Sequence, residues 1–168
     1  MGILRPAQAS DLEALSVLVC DFFNYHRQLK ANSQLMSLAE AKQICEGWLA
    51  QHPLLVYVEG EDLIGFVRLL QEGNVYWIEN IGIEQGHRGQ GHGRGLLTAL
   101  ETFVQERGQD SLYVSVLPEN TAAIEFYVNN GYCTLNMIEL RKDLTKENPS
   151  NHLQADGRNF HLEWKTSR

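Results

Sequence analysis

The chain has 168 residues, of which 43% are hydrophobic and 21% charged, a composition typical of a globular protein. The net charge of -7 argues against broad binding to nucleic acid or to an anionic membrane surface. No run approaches the roughly 18 apolar residues of a membrane span, and the N-terminus lacks the pattern of a signal peptide. We therefore expect one cytoplasmic domain over residues 1–168.

The N-terminal part predicts a short strand followed by two helices. The strand lies near Ile3 to Arg5, and a capping box of Ser10 with Glu13 would start the first helix. Ser37 with Glu40 repeats the pattern before a second amphipathic segment. Both helices should pack one apolar face against a common core.

Residues 54–83 predict three antiparallel strands. Two turn segments, 59–62 and 73–74, divide their β-rich runs at hairpin spacing. A third helix follows the loop after this meander and ends near Gly108. The pattern therefore places a loop between the last strand of the meander and a helix.

The remaining residues predict a strand, a helix and a closing hairpin. The strand covers 111–117, and the helix lies between an N-cap at Asn120 and a C-cap at Gly131. Two final strands, 132–142 and 159–165, would flank a long hairpin loop at 143–158. The sheet would then hold about seven strands.

The loop before the third helix reads HRGQGHGRG, residues 87–95, with four glycines among two histidines and two arginines. A helix N-terminus offers unpaired N–H groups and about half a positive charge, and glycines let an anion approach the backbone. Arg88 and Arg94 add local charge, whereas distant carboxylates are screened beyond a Debye length of about 8 Å. The stretch therefore predicts a phosphate site.

Two common phosphate-binding motifs do not fit this loop. A dinucleotide GxGxxG motif would need a third glycine where Arg94 or Leu96 stands. A Walker loop would need Lys and Ser or Thr where His92 and Gly93 stand. A flexible surface loop is disfavoured because helical apolar spacing begins directly after it.

Two elements of the sequence resemble the GNAT superfamily of acyl-CoA-dependent N-acyltransferases. Arg88, Gly91 and Gly93 match its Arg/Gln-x-x-Gly-x-Gly/Ala loop. Residues 120–132, NTAAIEFYVNNGY, look like its Asn-x-x-Ala-x-x-Phe-Tyr-x-x-x-Gly-Phe/Tyr element. The resemblance implies an α+β fold with four helices and a mixed, mostly antiparallel central sheet of about seven strands. That sheet would splay between its fourth and fifth strands, near 79–83 and 112–117.

The resemblance also implies acetyl-CoA as cosubstrate, with its pyrophosphate on the loop amides and its pantetheine arm on strand backbone. The implied binding residues are Ile81, Gly82, Ile83, Arg88, Gly89, Gln90, Gly91, His92, Gly93, Arg94, Asn120 and Tyr127. His92 departs from the family's aliphatic residue, and is expected either to be exposed or to add a proton-dependent contact to a phosphate. The histidines form no ligand pattern, so no metal is expected.

The implied chemistry is acyl transfer to an amine, which must first lose a proton. Glu79 is the candidate base, the alternative being a solvated strand carboxylate. Tyr127 matches the family tyrosine that donates toward the leaving sulfur, the alternative being a packed tyrosine on an apolar helix face. Backbone N–H groups near Ile81 to Ile83 would polarise the carbonyl. The sequence has neither a GxSxG nor a CxxC motif, so direct attack in a ternary complex is the simpler mechanism.

The acceptor is open at this stage. A polyamine, an aminoglycoside, another metabolite amine, and a protein N-terminus or lysine all fit. The resemblance implies that Tyr25 to Ser37 and the final hairpin loop wall the acceptor side. The alternative function is a non-catalytic acyl-CoA-binding or regulatory module, and a phosphate-binding fold of another kind is a third candidate. A homodimer fits the family pattern.

Overall fold

The computed structural model describes residues 2–29, 34–51, 53–73, 75–118, 120–136, 152–155 and 158–161. It divides into two compact units, Met1–Ser115 and Val116–Arg168. Among the described helices, none is both long and apolar enough to cross a membrane. The single domain expected from the sequence stays a prediction.

The first unit is built on a five-stranded sheet. Its elements are β1 (Ile3–Pro6), a 3-10 turn (Ala9–Asp11), α1 (Leu12–Leu29), α2 (Leu38–Gln51), β2 (Leu54–Glu59), β3 (Asp62–Glu72), β4 (Val75–Ile83), a second 3-10 turn (Gln85–His87), α3 (His92–Gln105) and β5 (Leu112–Val114). The strands run in the order β1-β2-β3-β4-β5. All neighbours are antiparallel except β4 and β5, which are parallel. The predicted meander is confirmed.

The two faces of this sheet bury different helices. Val56 and Phe66 belong to a buried cluster with residues of α1 and α2, among them Trp48. Tyr57 follows Val56 in β2 and therefore points to the opposite face. There its hydroxyl lies only 2.6 Å from where a Cβ on Gly95 of α3 would stand. Gly95 thus lets α3 approach the sheet closely.

The second unit contains α4 (Thr121–Asn129) and an antiparallel pair of strands, β6 (His152–Ala155) and β7 (Arg158–His161). This pair forms a sheet of its own, so the expected central sheet of about seven strands is wrong. β6 falls inside the segment predicted as a long loop. The sequence Asp156-Gly157 between the two strands is a strong signal for a tight hairpin, which that prediction overlooked.

The predicted strand at 132–142 is not found where it can be checked. Residues 132–136 have no strand assignment, and 137–142 lie outside the described residues. The predicted last strand, 159–165, is matched by β7 only as far as His161, and 162–165 also lie outside the described residues. The α+β class and the four α-helices are confirmed within the part of the chain that is described.

The two predicted capping boxes have different outcomes. At α2 the prediction is confirmed, because Ser37 N–H donates to Glu40 Oε2 at 2.7 Å and Glu40 N–H donates to Ser37 Oγ at 3.2 Å. At α1 the Ser10 box is wrong, since a 3-10 turn precedes the helix. There Gln8 N–H donates to the Asp11 carboxylate at 2.7 Å. The charged carboxylate is a stronger acceptor than a serine hydroxyl.

Candidate active site

β4 carries a β-bulge at Glu79. In its ladder with β3, Arg68 pairs with Asn80 and Leu69 pairs with Ile78, so Glu79 is the extra residue of β4. Bulges bend a strand, re-aim a side chain and are common beside active sites. Ile78 is buried, whereas the Glu79 side chain is 39% exposed. The bulge therefore presents a partly exposed carboxylate directly after a buried residue of β4.

An arginine of the neighbouring strand meets this carboxylate. Arg68 Nη1 lies 2.8 Å from Glu79 Oε2, and the guanidinium lies 4.9 Å from the ring centroid of Trp48 in α2. The Arg68 side chain is only 14% exposed. Sequence reasoning did not single out Arg68, although a lone cation in the otherwise apolar run of β3 signals a buried partner.

The edge of β4 beyond the bulge supplies backbone donors. Glu84 N–H donates to Ile64 O of β3 at 2.8 Å. Because successive N–H groups of a strand point to alternate edges, those of Ile81 and Ile83 face away from β3. On that edge the ladder with β5 ends at the pair of Ile78 and Val114. The expected separation of the fourth and fifth strands agrees with this short ladder.

The loop after β4 depends on two glycines in the left-handed region. Gly89 has φ +74° and Gly91 has φ +88°, a conformation that residues with a Cβ seldom adopt. Gly91 is the N-cap of α3, which begins at His92. A Cβ added at Gly91 would meet no described atom within 4 Å. The loop therefore has open space in front of its glycines.

The N-terminus of α3 has no compensating group of its own. Gly91 provides no side-chain cap, and the first turn holds no acidic residue. Gly95 N–H donates to Gly91 O at 3.0 Å, so the N–H groups of the three residues before Gly95 precede the first helical bond. Arg94 adds an exposed cation at the positive end of the helix. An anion would compensate both charges.

Arg88 and Gln90 hold the loop in shape. Arg88 Nε donates to Ile83 O at 2.9 Å, and its guanidinium lies 5.8 Å from the ring centroid of Tyr25 in α1. Gln90 Nε2 donates to Gly86 O at 2.7 Å. These contacts tie the loop to the end of β4, so the amides have a fixed direction.

The two histidines of the loop pair with carboxylates. His92 Nε2 lies 3.5 Å from Glu59 Oε2 at the end of β2. The His92 side chain is only 15% exposed, so the expectation that it is exposed is wrong. His87 Nδ1 contacts Glu84 Oε2. The imidazole centroids are 5.6 Å apart, edge to face. His92 thus links the start of α3 to β2.

The second unit holds the other two predicted residues. Asn120 caps α4 as predicted, since its Oδ1 accepts from Ala123 N–H at 3.2 Å. Tyr127 is 6% exposed and lies against the rings of Phe126 and Tyr132, with centroids 5.3 and 5.4 Å away. Burial raises the pKa of Tyr127, so the phenol stays neutral and can donate a hydrogen bond.

Comparisons with known proteins place the chain among acetyltransferases. A [ribosomal protein bS18]-alanine N-acetyltransferase of Haemophilus ducreyi is 32% identical over 97 residues, which are 56% of this chain and 63% of that protein. The paia N-acetyltransferase of Thermoplasma acidophilum, solved in complex with coenzyme A, has a TM-score of 0.64 at 18% identity, over 78% of this chain and 89% of that chain.

A second solved structure shares the fold. It is an aminoglycoside acetyltransferase from an uncultured soil metagenomic sample in complex with sisomicin, with a TM-score of 0.62 at 16% identity. The match covers 86% of this chain and 97% of that chain. The family model for the acetyltransferase (GNAT) family matches residues 20–132. This chain therefore belongs to the GNAT acetyltransferase family.

Proposed function

We propose that this protein is an N-acetyltransferase that moves the acetyl group of acetyl-CoA to a primary amine by direct attack in a ternary complex. The observation that carries the proposal is the uncapped N-terminus of α3, which follows left-handed glycines and a strand edge with backbone donors. Membership of the GNAT family supports the same reaction.

The loop and the strand edge would bind the acyl donor. Backbone N–H groups from Gly89 to Arg94 hold the pyrophosphate, because a helix N-terminus attracts anions. The N–H groups of Ile81 and Ile83 bind the pantetheine arm and the thioester carbonyl. Asn120 and Tyr127 stay predicted donor contacts, as the family resemblance implies. Backbone donors suit this role, since glycine leaves no side chain in front of them.

Glu79 would start the chemistry by taking a proton from the acceptor ammonium, directly or through one water. A lysine-like amine has a pKa near 10.4, so most of it is protonated at neutral pH. The freed amine attacks the thioester carbonyl, the C–N bond forms and the C–S bond breaks. N–H groups of β4 stabilise the charge that develops on the carbonyl oxygen. The proton that the new amide nitrogen loses ends on the thiol of CoA.

Tyr127 would stabilise the departing sulfur with a hydrogen bond. Its pKa is raised by burial, so complete transfer of the phenol proton to a thiolate of intrinsic pKa near 8.5 is uphill. Donation of a hydrogen bond does not require that transfer. This role therefore favours a tyrosine that remains neutral throughout the reaction.

For the acceptor, we propose the amino group of a protein N-terminus as the first class to test. The relative from Haemophilus ducreyi is named for alanine acetylation on ribosomal protein bS18. Small amines follow, because the neighbour bound to sisomicin is named as an aminoglycoside acetyltransferase. A cytoplasmic site of action, a homodimer and the absence of a metal stay predictions.

A thiol-release assay tests the proposal. Acetyl-CoA is combined with a peptide that begins with alanine, a lysine peptide, a polyamine and an aminoglycoside, and free CoA is measured over time. In parallel, the melting temperature is recorded with CoA and with ATP as the control nucleotide. We expect CoA to raise the melting temperature more than ATP does, and one amine to release CoA above background.

The alternatives give different results in these two measurements. CoA binding without release for any amine would favour the non-catalytic acyl-CoA-binding or regulatory module. Equal stabilisation by ATP and CoA would favour a phosphate-binding protein of another kind. Absence of stabilisation by CoA would overturn the assignment of the loop.

A further inference from the structure

We propose that Arg68 is a positioning residue for Glu79, holding one carboxylate oxygen so that the other receives the proton of the acceptor amine. The inference rests on the proposed function and adds a residue to it. It starts from the bulge of β4, which places Glu79 on the same side of the ladder as the arginine of β3.

Arg68 needs this carboxylate more than a surface arginine would. Its side chain is 14% exposed, and its Nε is buried without a hydrogen-bond partner among the described residues. A buried cation is costly unless a counter-charge compensates it. Glu79 supplies that charge at 2.8 Å, so separation of the pair is unfavourable and the carboxylate keeps its orientation.

Trp48 fixes the other side of the guanidinium. It is 9% exposed and stacks on Phe66 at an interplanar angle of 28°, with centroids 6.3 Å apart. Phe66 precedes Arg68 by two residues in β3, so both side chains point to the face covered by α2. The guanidinium lies over the same indole ring. A rigid aromatic surface therefore limits where Arg68 can move.

The second oxygen of Glu79 is left for chemistry. The contact that Arg68 Nη1 makes at 2.8 Å is with Oε2, and no hydrogen bond to Oε1 is found among the described residues. The side chain is 39% exposed, so an amine or a water can reach it. A general base works only within about 2.6–3.2 Å of the proton that it removes. A carboxylate whose orientation is fixed at one oxygen meets this distance requirement more often than a carboxylate that rotates freely.

A double-mutant cycle on kcat tests the inference. Arg68→Met keeps a long side chain for packing, and we expect kcat to fall about tenfold while KM for acetyl-CoA is unchanged. Arg68→Lys keeps the charge and should recover part of this loss. In a Glu79→Gln background, Arg68→Met should change kcat by less than about twofold, because Arg68 acts through Glu79.

Two results would overturn the inference. One is a double variant in which the separate losses multiply, as expected of a residue with only a structural role. The other is an unchanged kcat in Arg68→Met. Arg5→Met is the matched control, since it breaks an arginine–carboxylate pair outside the site and should leave kcat unchanged.

A spectroscopic measurement separates this inference from the proposed function. The Arg68 side-chain N–H resonances of 15N-labelled protein should be protected from exchange and should shift in Glu79→Gln. Resonances unaffected by that substitution would show that no pair forms in solution and would overturn the inference. A wild type with this signature but without turnover would instead overturn the proposed function and the catalytic consequence of the pair.

Discussion

Two arginine–carboxylate pairs of the first unit differ in how completely the carboxylate is used. Asp11 accepts from Arg5 Nη1 and Nη2 at 2.7 and 2.8 Å and from Gln8 N–H at 2.7 Å, and its side chain is 10% exposed. Glu79 meets Arg68 through one oxygen and is 39% exposed. Both oxygens of Asp11 accept hydrogen bonds, whereas no hydrogen bond to Glu79 Oε1 is found among the described residues.

The difference separates a stabilising pair from the pair that we propose takes part in the reaction. The pKa of Asp11 is lowered, chiefly by hydrogen bonds from Arg5 and also by the Gln8 amide, against the opposing effect of burial. Asp11 therefore stabilises the start of α1, and both of its oxygens already accept hydrogen bonds. Glu79 is the extra residue of a β-bulge, whereas Asp11 lies in a 3-10 turn.

The sharpest test of this contrast is Glu79→Gln. We expect kcat/KM to fall about 1000-fold, within the range lost with a general base, and the free energy of unfolding to change little. Steady-state thiol release and urea unfolding measure the two quantities. Activity near that of wild type would make Glu79 a solvated strand carboxylate and remove the contrast.

Tyr127→Phe tests a residue that is proposed to donate a hydrogen bond, whereas Glu79 is proposed to accept a proton. The phenol is expected to act on the leaving sulfur, so kcat should fall about 100-fold while the Kd for acetyl-CoA stays within about twofold. Stopped-flow or steady-state kinetics give kcat, and calorimetry gives Kd. Equal turnover would remove Tyr127 from the mechanism.

Gly91→Val tests the loop backbone, which binds the acyl donor in our proposal and involves neither Asp11 nor Glu79. A β-branched residue at φ +88° is strained, and a strain of about 2 kcal/mol would weaken CoA binding about 30-fold. Calorimetric titration with CoA measures this loss, and circular dichroism checks the fold. Gly86→Ala is the matched control, because a Cβ there meets no described atom within 4 Å and its φ is not in the left-handed region. Unchanged affinity in Gly91→Val would contradict the amide site.

Asp11→Asn is expected to have the smallest effect, and on stability alone. A lowered pKa in the folded protein means that the stabilisation is complete above the unfolded pKa near 3.9 and disappears as the pH falls through the folded value. We expect a loss of about 1.5–2 kcal/mol at pH 7, with a smaller difference from wild type below about pH 4. Urea unfolding at several pH values measures it. A constant difference down to pH 3 would contradict the pair's role.

The sequence by itself determined the parts of the protein that depend on local geometry. Ser37 with Glu40 predicted a cap, Asn120 predicted another, and two turns predicted the meander, since each uses residues close together in the chain. The glycine-rich loop before α3 was visible for the same reason. Gly89 and Gly91 indicate a left-handed backbone conformation, which is a local property of the chain.

Only the tertiary structure decided how distant side chains share their partners. Nothing near Arg68 in the sequence indicates Glu79 or Trp48, because the pairing arises from a bulge in the register of β3 and β4 and from the packing of α2. At the start of α1, Asp11 accepts the capping hydrogen bond in place of the predicted Ser10, and Arg5 of β1 also donates to it. Charged and aromatic side chains pair with residues that are near in space, and a change of register by one residue alters which side chains meet.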